Sequence, residues 1–130
     1  MIVLDTHIWL WWVNLQSDRL KPSWKTLIER SESVGVSAIS CFEVAWLERH
    51  NRLVLPCPRD EWFDKALDGS GICLLPVIPQ IAGLSVDLPE HHKDPQDRII
   101  IATALIYNAI LISVDTQFPL YIELTGRLIN

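Results

Sequence analysis

The sequence predicts an α/β fold: one mostly parallel sheet of four or five strands with helices on both faces, a three-layer α/β/α sandwich. Three observations carry this. Short apolar runs of strand length alternate with helical stretches through all 130 residues. The runs Ile2–Leu4 and Ile110–Val114 have the continuous apolar character of strands covered on both faces. Each of these runs leads into an aspartate, Asp5 and Asp115, where a parallel sheet gathers its strand ends.

Taken in order, Ile2-Val3-Leu4 is the first strand and delivers Asp5. The segment Ile8–Val13 follows at once and is apolar all round, which predicts burial or cover by a partner rather than a half-exposed surface helix. Trp9 reads first as core, while Trp11 and Trp12 divide between core and partner contact. Residues 14–20 read as a polar loop. Pro22-Ser23-Trp24 opens a helix to about Ser33, with Leu27 and Ile28 on the face of Trp24. Gly35 breaks it, and Val34–Ser37 is a short strand. A helix then runs to His50, its start marked by Ser40 and Glu43 as a Ser-x-x-Glu capping box. Pro56 and Pro58 fix the connection to a helix over Arg59–Leu67, which Gly69 and Gly71 stop.

Ile72–Val77 reads as a buried strand, Pro79–Val86 as a short helix and Leu88–Lys93 as a polar loop. Asp94 fits an N-cap, Pro95 the first helical position and Asp97 the third, in a mostly buried helix that ends near Asn108. After the strand Ile110–Val114, Leu128–Ile129 adds a short edge strand. The chain contains no internal repeat, low-complexity tract or linker, so residues 1–130 are expected to form a single domain.

The bulk properties narrow the function. Half-apolar composition, 49%, supplies a core, and no apolar run approaches the ~20 residues that span a bilayer. The first strand begins at Ile2 with no basic leader, so no signal peptide is expected. Cys41, Cys57 and Cys73 are odd in number and lack CxxC spacing; they read as mostly buried free thiols in a reducing, cytoplasmic compartment. A net charge of −5 argues against a protein that coats nucleic acid, but not against a metal-dependent nuclease.

Four acids share one placement. Asp5 and Asp115 follow strands; Glu43 and Asp97 lie near helix starts. Strand C-termini and helix N-termini fall on the same edge of a parallel sheet, so all four can meet there. Each alone has a structural explanation: a cap for Asp5 and Asp115, the capping box for Glu43, the helix dipole for Asp97. Gathered carboxylates repel one another, and a hard divalent cation relieves the repulsion through oxygen ligands. One or two Mg²⁺ or Mn²⁺ ions could then position water against a phosphodiester. Around them, Thr6, Ser113 and Thr116 offer hydroxyls to a metal-bound water or to phosphate, and Asp94 is a cap with an outlying role in reach. Arg98 reads equally as a surface ion pair or a phosphate contact. His91 and His92 read as exposed loop, because no further His or Cys stands at zinc-site spacing.

The blocks Val3-Leu4-Asp5-Thr6-His7, Ser37-Ala38-Ile39-Ser40 leading to Glu43, Asp94-Pro95-Gln96-Asp97-Arg98-Ile99-Ile100-Ile101-Ala102-Thr103-Ala104 and Leu111-Ile112-Ser113-Val114-Asp115 recur in order over about residues 2–118. Together they resemble the PIN domain, and within it the VapC-type toxins of toxin–antitoxin pairs. The resemblance implies a PIN-like α/β/α sandwich, homodimerisation, and Mg²⁺- or Mn²⁺-dependent endoribonuclease activity on RNA, neutralised by a cognate antitoxin. It implies catalytic and metal-binding roles for Asp5, Glu43 and Asp97, with Asp115 as the more variable fourth acid. Promoter DNA would be bound only through the antitoxin, and no membrane is involved.

Trp9, Trp11, Trp12 and Trp46 are the expected lining of an antitoxin groove. Two other classes compete with the nuclease: a non-catalytic binding module that keeps the fold and the groove, and a different phosphohydrolase. The second lacks the Asp-x-Asp nucleophile pattern, since His7 stands two residues after Asp5.

Overall fold

In the computed structural model, which describes residues 1–14 and 16–130, five parallel strands form one sheet in the order β3-β2-β1-β4-β5. The strands are β1 (Ile2–Leu4), β2 (Val34–Ser37), β3 (Ile72–Leu75), β4 (Ile110–Ile112) and β5 (Leu128–Ile129). The helices are α1 (Thr6–Val13), α2 (Pro22–Arg30), α3 (Ala38–Arg49), α4 (Arg59–Ala66), α5 (Pro79–Asp87) and α6 (Pro95–Ile106). None of them is long and apolar enough to cross a membrane. A 3₁₀ turn, Ser17–Arg19, lies in the segment read as polar loop, of which Leu15 falls outside the described residues.

Side chains alternate across β1 and divide the core in two. Ile2 and Leu4 join α1, α2 and α4 on one face, whereas Val3 joins α5 and α6 on the other. Helix α3 sits at the seam, with Val44 in the first cluster and Ile39 against the second. These are the three layers the alternation predicts.

Trp9 is fully buried; its Nε1 donates to the Ala66 carbonyl (3.0 Å), and its ring packs on Trp62. Trp62 in turn donates to Asn14 Oδ1 (2.9 Å), so two indoles fasten α1 to α4. Gly35 lies inside β2 rather than breaking a helix. A Cβ there would come within 2.8 Å of Leu75 Cδ1, so glycine is what lets β2 and β3 pack at this point.

Several boundaries differ from expectation. α2 stops at Arg30, three residues early. β3 is shorter and only half buried: as an edge strand it leaves Cys73 and Leu74 exposed, and Cys73 is not the buried thiol predicted. Helix α3 begins at Ala38, where Ser37 Oγ accepts the Ile39 amide (3.2 Å). Ser40 is therefore inside the helix and Glu43 is in its second turn, so they form no capping box.

Candidate active site

The order β3-β2-β1-β4-β5 puts β1 between β2 and β4, and the chain's direction of winding reverses between β1 and β4. Sites in open α/β sheets form outside the strand ends at such a reversal. Asp5 stands there at the end of β1. It is 7% exposed, accepts the Thr6 amide at Oδ1 (2.8 Å) and accepts the Ser113 hydroxyl at Oδ2 (2.7 Å). It caps α1 and also faces the site. Ser113, itself buried, accepts the Asp115 amide in turn (3.0 Å), which ties the ends of β1 and β4 together.

Glu43 comes from α3. Its Oε1 lies 3.2 Å from the Thr6 hydroxyl, which is also hydrogen-bonded to Ser40 Oγ (2.9 Å). With Ser40 donating to Thr6 and Thr6 to Glu43, both bonds form at once. Asp97 comes from the first turn of α6. Asp94 holds the N-cap position there, but its side chain makes no capping bond and its carboxylate lies beside Glu43 and Asp97.

The electrostatics record how close these groups are. Burial raises the Asp5 carboxyl, Asp115 raises it further, and the bonds from Ser113 and the Thr6 amide and the charge of His7 pull it back. Burial, then the charges of Asp97 and Asp5, push Glu43 up to about 7, against the Thr6 bond. Burial and Asp5 likewise push Asp97 up to about 7, opposed by His92 and assisted by Asp115 and Asp94. The structure thus brings Asp5, Glu43, Asp97, Asp115 and Asp94 to one patch. Thr116 is exposed, and the Gln117 amide rather than its hydroxyl bonds Asp115 (2.7 Å).

His92 is not an exposed loop residue. Its side chain is 11% exposed, and Nε2 stands 2.9 Å from Asp115 Oδ2 and 3.1 Å from Asp97 Oδ2. Donor atoms of His92, Asp94 and Asp97 fall within 4.8 Å of one another, which among the described residues is the one triplet that tight. Arg98 is not a surface ion pair either. It is buried, and its guanidinium donates to the carbonyls of Ser85, Val86, Leu88, Pro89 and His92, pinning the loop before α6. The sequence carried one signal for Arg98: a charged residue in a helix apolar on most sides must find partners. Its neighbour Pro95 fixed where that helix starts, hence how near His92 lies to the first turn.

The four tryptophans do not line one groove. Trp9 offers no surface. Trp11 lines a depression of about 530 Å³ with Leu47, Arg52 and Leu55. Trp46, 41% exposed and stacked on His50, lines a smaller one of about 200 Å³ with Phe42, Leu47, Glu43 and Asp97. The two adjoin at Leu47. Trp12 lies elsewhere, lining a separate depression with Ile28, Val34 and Ile72. The larger depression is not the one at the acids; charge and burial, rather than volume, mark the candidate active site.

Fold and site together define a parallel α/β domain with a carboxylate cluster at its strand ends. Residues 2–123 match the PIN domain. The chain is 32% identical over 117 residues to Ribonuclease VapC22 of Mycobacterium tuberculosis, across 89% of this chain and 88% of that one. Among solved structures, VapBC2 from Rickettsia felis bound to a DNA fragment from their promoter aligns with a TM-score of 0.70 and 19% identity, covering 100% of this chain and 98% of that chain. A toxin–antitoxin complex from Klebsiella pneumoniae aligns with a TM-score of 0.62 and 18% identity, over 100% and 97%. The chain belongs to the PIN domain family.

Proposed function

We propose that this protein is a metal-dependent endoribonuclease toxin, neutralised by a cognate antitoxin and acting in the cytoplasm. The observation that carries the reading is the gathering of Asp5, Glu43 and Asp97 at one sheet edge, with two of the three pushed up to about 7. Carboxylates perturbed by burial and by one another cluster at functional sites. The relative that is a ribonuclease and the structural neighbours that are toxin–antitoxin complexes support the same reading.

The donor set fits a hard divalent cation. Asp5, Glu43 and Asp97 present oxygens, and their mutual repulsion is what a cation would relieve. One or two Mg²⁺ or Mn²⁺ ions, when bound, supply charge stabilisation to the phosphoryl oxygens and acidify a water. The chain's own residues do the rest. Ser113 and the Thr6 amide hold Asp5 in one orientation, and Thr6 and Ser40 hold Glu43. Burial and repulsion among the acids push Glu43 and Asp97 up to about 7 in the metal-free chain; with a cation bound both would stay ionised, and the carboxylate cluster they belong to would then accept the proton of the attacking water.

In this reading the antitoxin covers the depressions of Trp11 and Trp46, which adjoin at Leu47 next to the acids, so that one occupant can cover the site. Homodimerisation, and promoter DNA bound only through the antitoxin, belong to the same proposal. The alternative is a non-catalytic PIN-fold binding module, and expression without antitoxin separates the two. Growth arrest that Asp97→Asn abolishes supports the toxin; unchanged growth with folded wild-type protein in the cell favours the module.

A further inference from the structure

We infer that His92 is a positioning residue for the acidic centre, and that Asp115 acts through it rather than as a direct cation ligand. The inference rests on the metal-dependent reading and divides the labour among its acids.

His92 is held through its backbone and through both ring nitrogens. Its backbone amide donates to the buried Tyr121 hydroxyl (2.9 Å), and its carbonyl accepts from Arg98 (3.1 Å). The ring meets Phe118 edge-on. Nδ1 accepts the Asp94 amide (3.3 Å), so the ring proton sits on Nε2, and Nε2 faces Asp115 Oδ2 and Asp97 Oδ2 together. Nε2 already stands within 3.1 Å of both oxygens and competes with any cation they would share. Nε2 cannot itself become a ligand without moving the proton to Nδ1 and breaking the Asp94 contact.

Asp115 is equally committed. Its Oδ1 accepts the Gln117 amide (2.7 Å), its amide donates to Ser113 (3.0 Å), and Asn130 holds its carbonyl (3.3 Å). What Asp115 offers the site is therefore the anchor for the imidazole, and the imidazole fixes the Asp97 carboxylate with Oδ1 left open. Histidine-to-carboxylate contacts of this kind tune metal centres from outside the ligand set.

The test is Mn²⁺ binding to the metal-free chain by calorimetry, with no RNA present, in a double-mutant cycle. His92→Ala should weaken Mn²⁺ by about 10- to 100-fold, the range for such supporting contacts. His92→Gln, which keeps an N–H donor toward the acids, should restore affinity to within about threefold of wild type, whereas His92→Leu, which fills similar space without a donor, should bind as weakly as His92→Ala; a merely space-filling role would let His92→Leu bind as well as His92→Gln. Asp115→Asn should weaken binding in the wild-type background but add less than about twofold to His92→Ala, the scatter expected when two changes break one interaction. Full additivity would make Asp115 an independent ligand and overturn the inference, as would His92→Ala binding as well as wild type. Wild-type protein that binds no Mn²⁺ would instead bring down the metal-dependent reading and the inference with it.

Discussion

The cost of holding Glu43 ionised is the most informative quantity to measure. Moving a glutamate from its ordinary 4.5 to about 7 means the ionised side chain is penalised in the metal-free folded state by ~3 kcal/mol. Glu43 keeps partial contact with water, so we halve the figure to about 1.5 kcal/mol. The sign follows from linkage. The folded state binds this proton more tightly than the unfolded chain, so stability falls as pH rises from about 4.5 to about 7, and the penalty is complete above that. Only about a quarter of it is present at pH 5.

Glu43→Gln abolishes the titration while keeping an acceptor for Thr6. In chelator, the variant should therefore gain on wild type by about 1 kcal/mol between pH 5 and pH 8. For 130 residues this is a relative rise in melting temperature of about 4 °C. Urea unfolding and thermal melts of both proteins at the two pH values give the number; comparing the proteins at each pH cancels the titrations independent of Glu43, and the difference carries the response of Asp97 and Asp5, whose charges act on it. The same substitution should abolish cleavage. A stability difference that does not change with pH, or that shrinks at pH 8, would refute the reasoning that repulsion and burial load this carboxylate.

Other predictions are of simpler kinds. Arg98→Lys loses the planar fork that serves five carbonyls and should cost about 3 kcal/mol in urea unfolding; a loss below about 1 kcal/mol would contradict the anchoring role. Ser113→Ala strands the Asp115 amide and frees Asp5, so it should cost about 1–2 kcal/mol and weaken Mn²⁺ binding in calorimetry. Trp11→Ala should weaken the antitoxin complex by about 2 kcal/mol, read by competition binding, whereas Trp12→Ala should leave it within twofold because Trp12 faces another depression.

Much of this architecture was legible because local chemistry and global fold agree. Asp5 and Asp115 stand at strand ends that apolar runs announce, and Pro95 marks the start of α6, which fixes Asp97 in its first turn. What was not legible depended on neighbours. Ser37 and Ser40 both suit a helix start, and only the length of β2, paired to β1 and β3, decides for Ser37. The run Ile72-Cys73-Leu74-Leu75 reads as buried, yet strand order makes it an edge. His92 looked like one of two loop histidines; its partners Asp115 and Tyr121 lie 23 and 29 residues away, and no local pattern reveals them. The tryptophan-rich α1 shows the same limit, since composition places Trp9, Trp11 and Trp12 together and the helix turns them to three different neighbourhoods.

The central claim is that the acids at this sheet edge make a cation-dependent RNA-cleaving centre. Purified antitoxin-free protein should be incubated with total cellular RNA in Mg²⁺, in Mn²⁺ and in chelator, beside Asp97→Asn. The account predicts discrete products that require both the cation and Asp97. Products that persist in chelator, or that Asp97→Asn still makes at the wild-type rate, would contradict it.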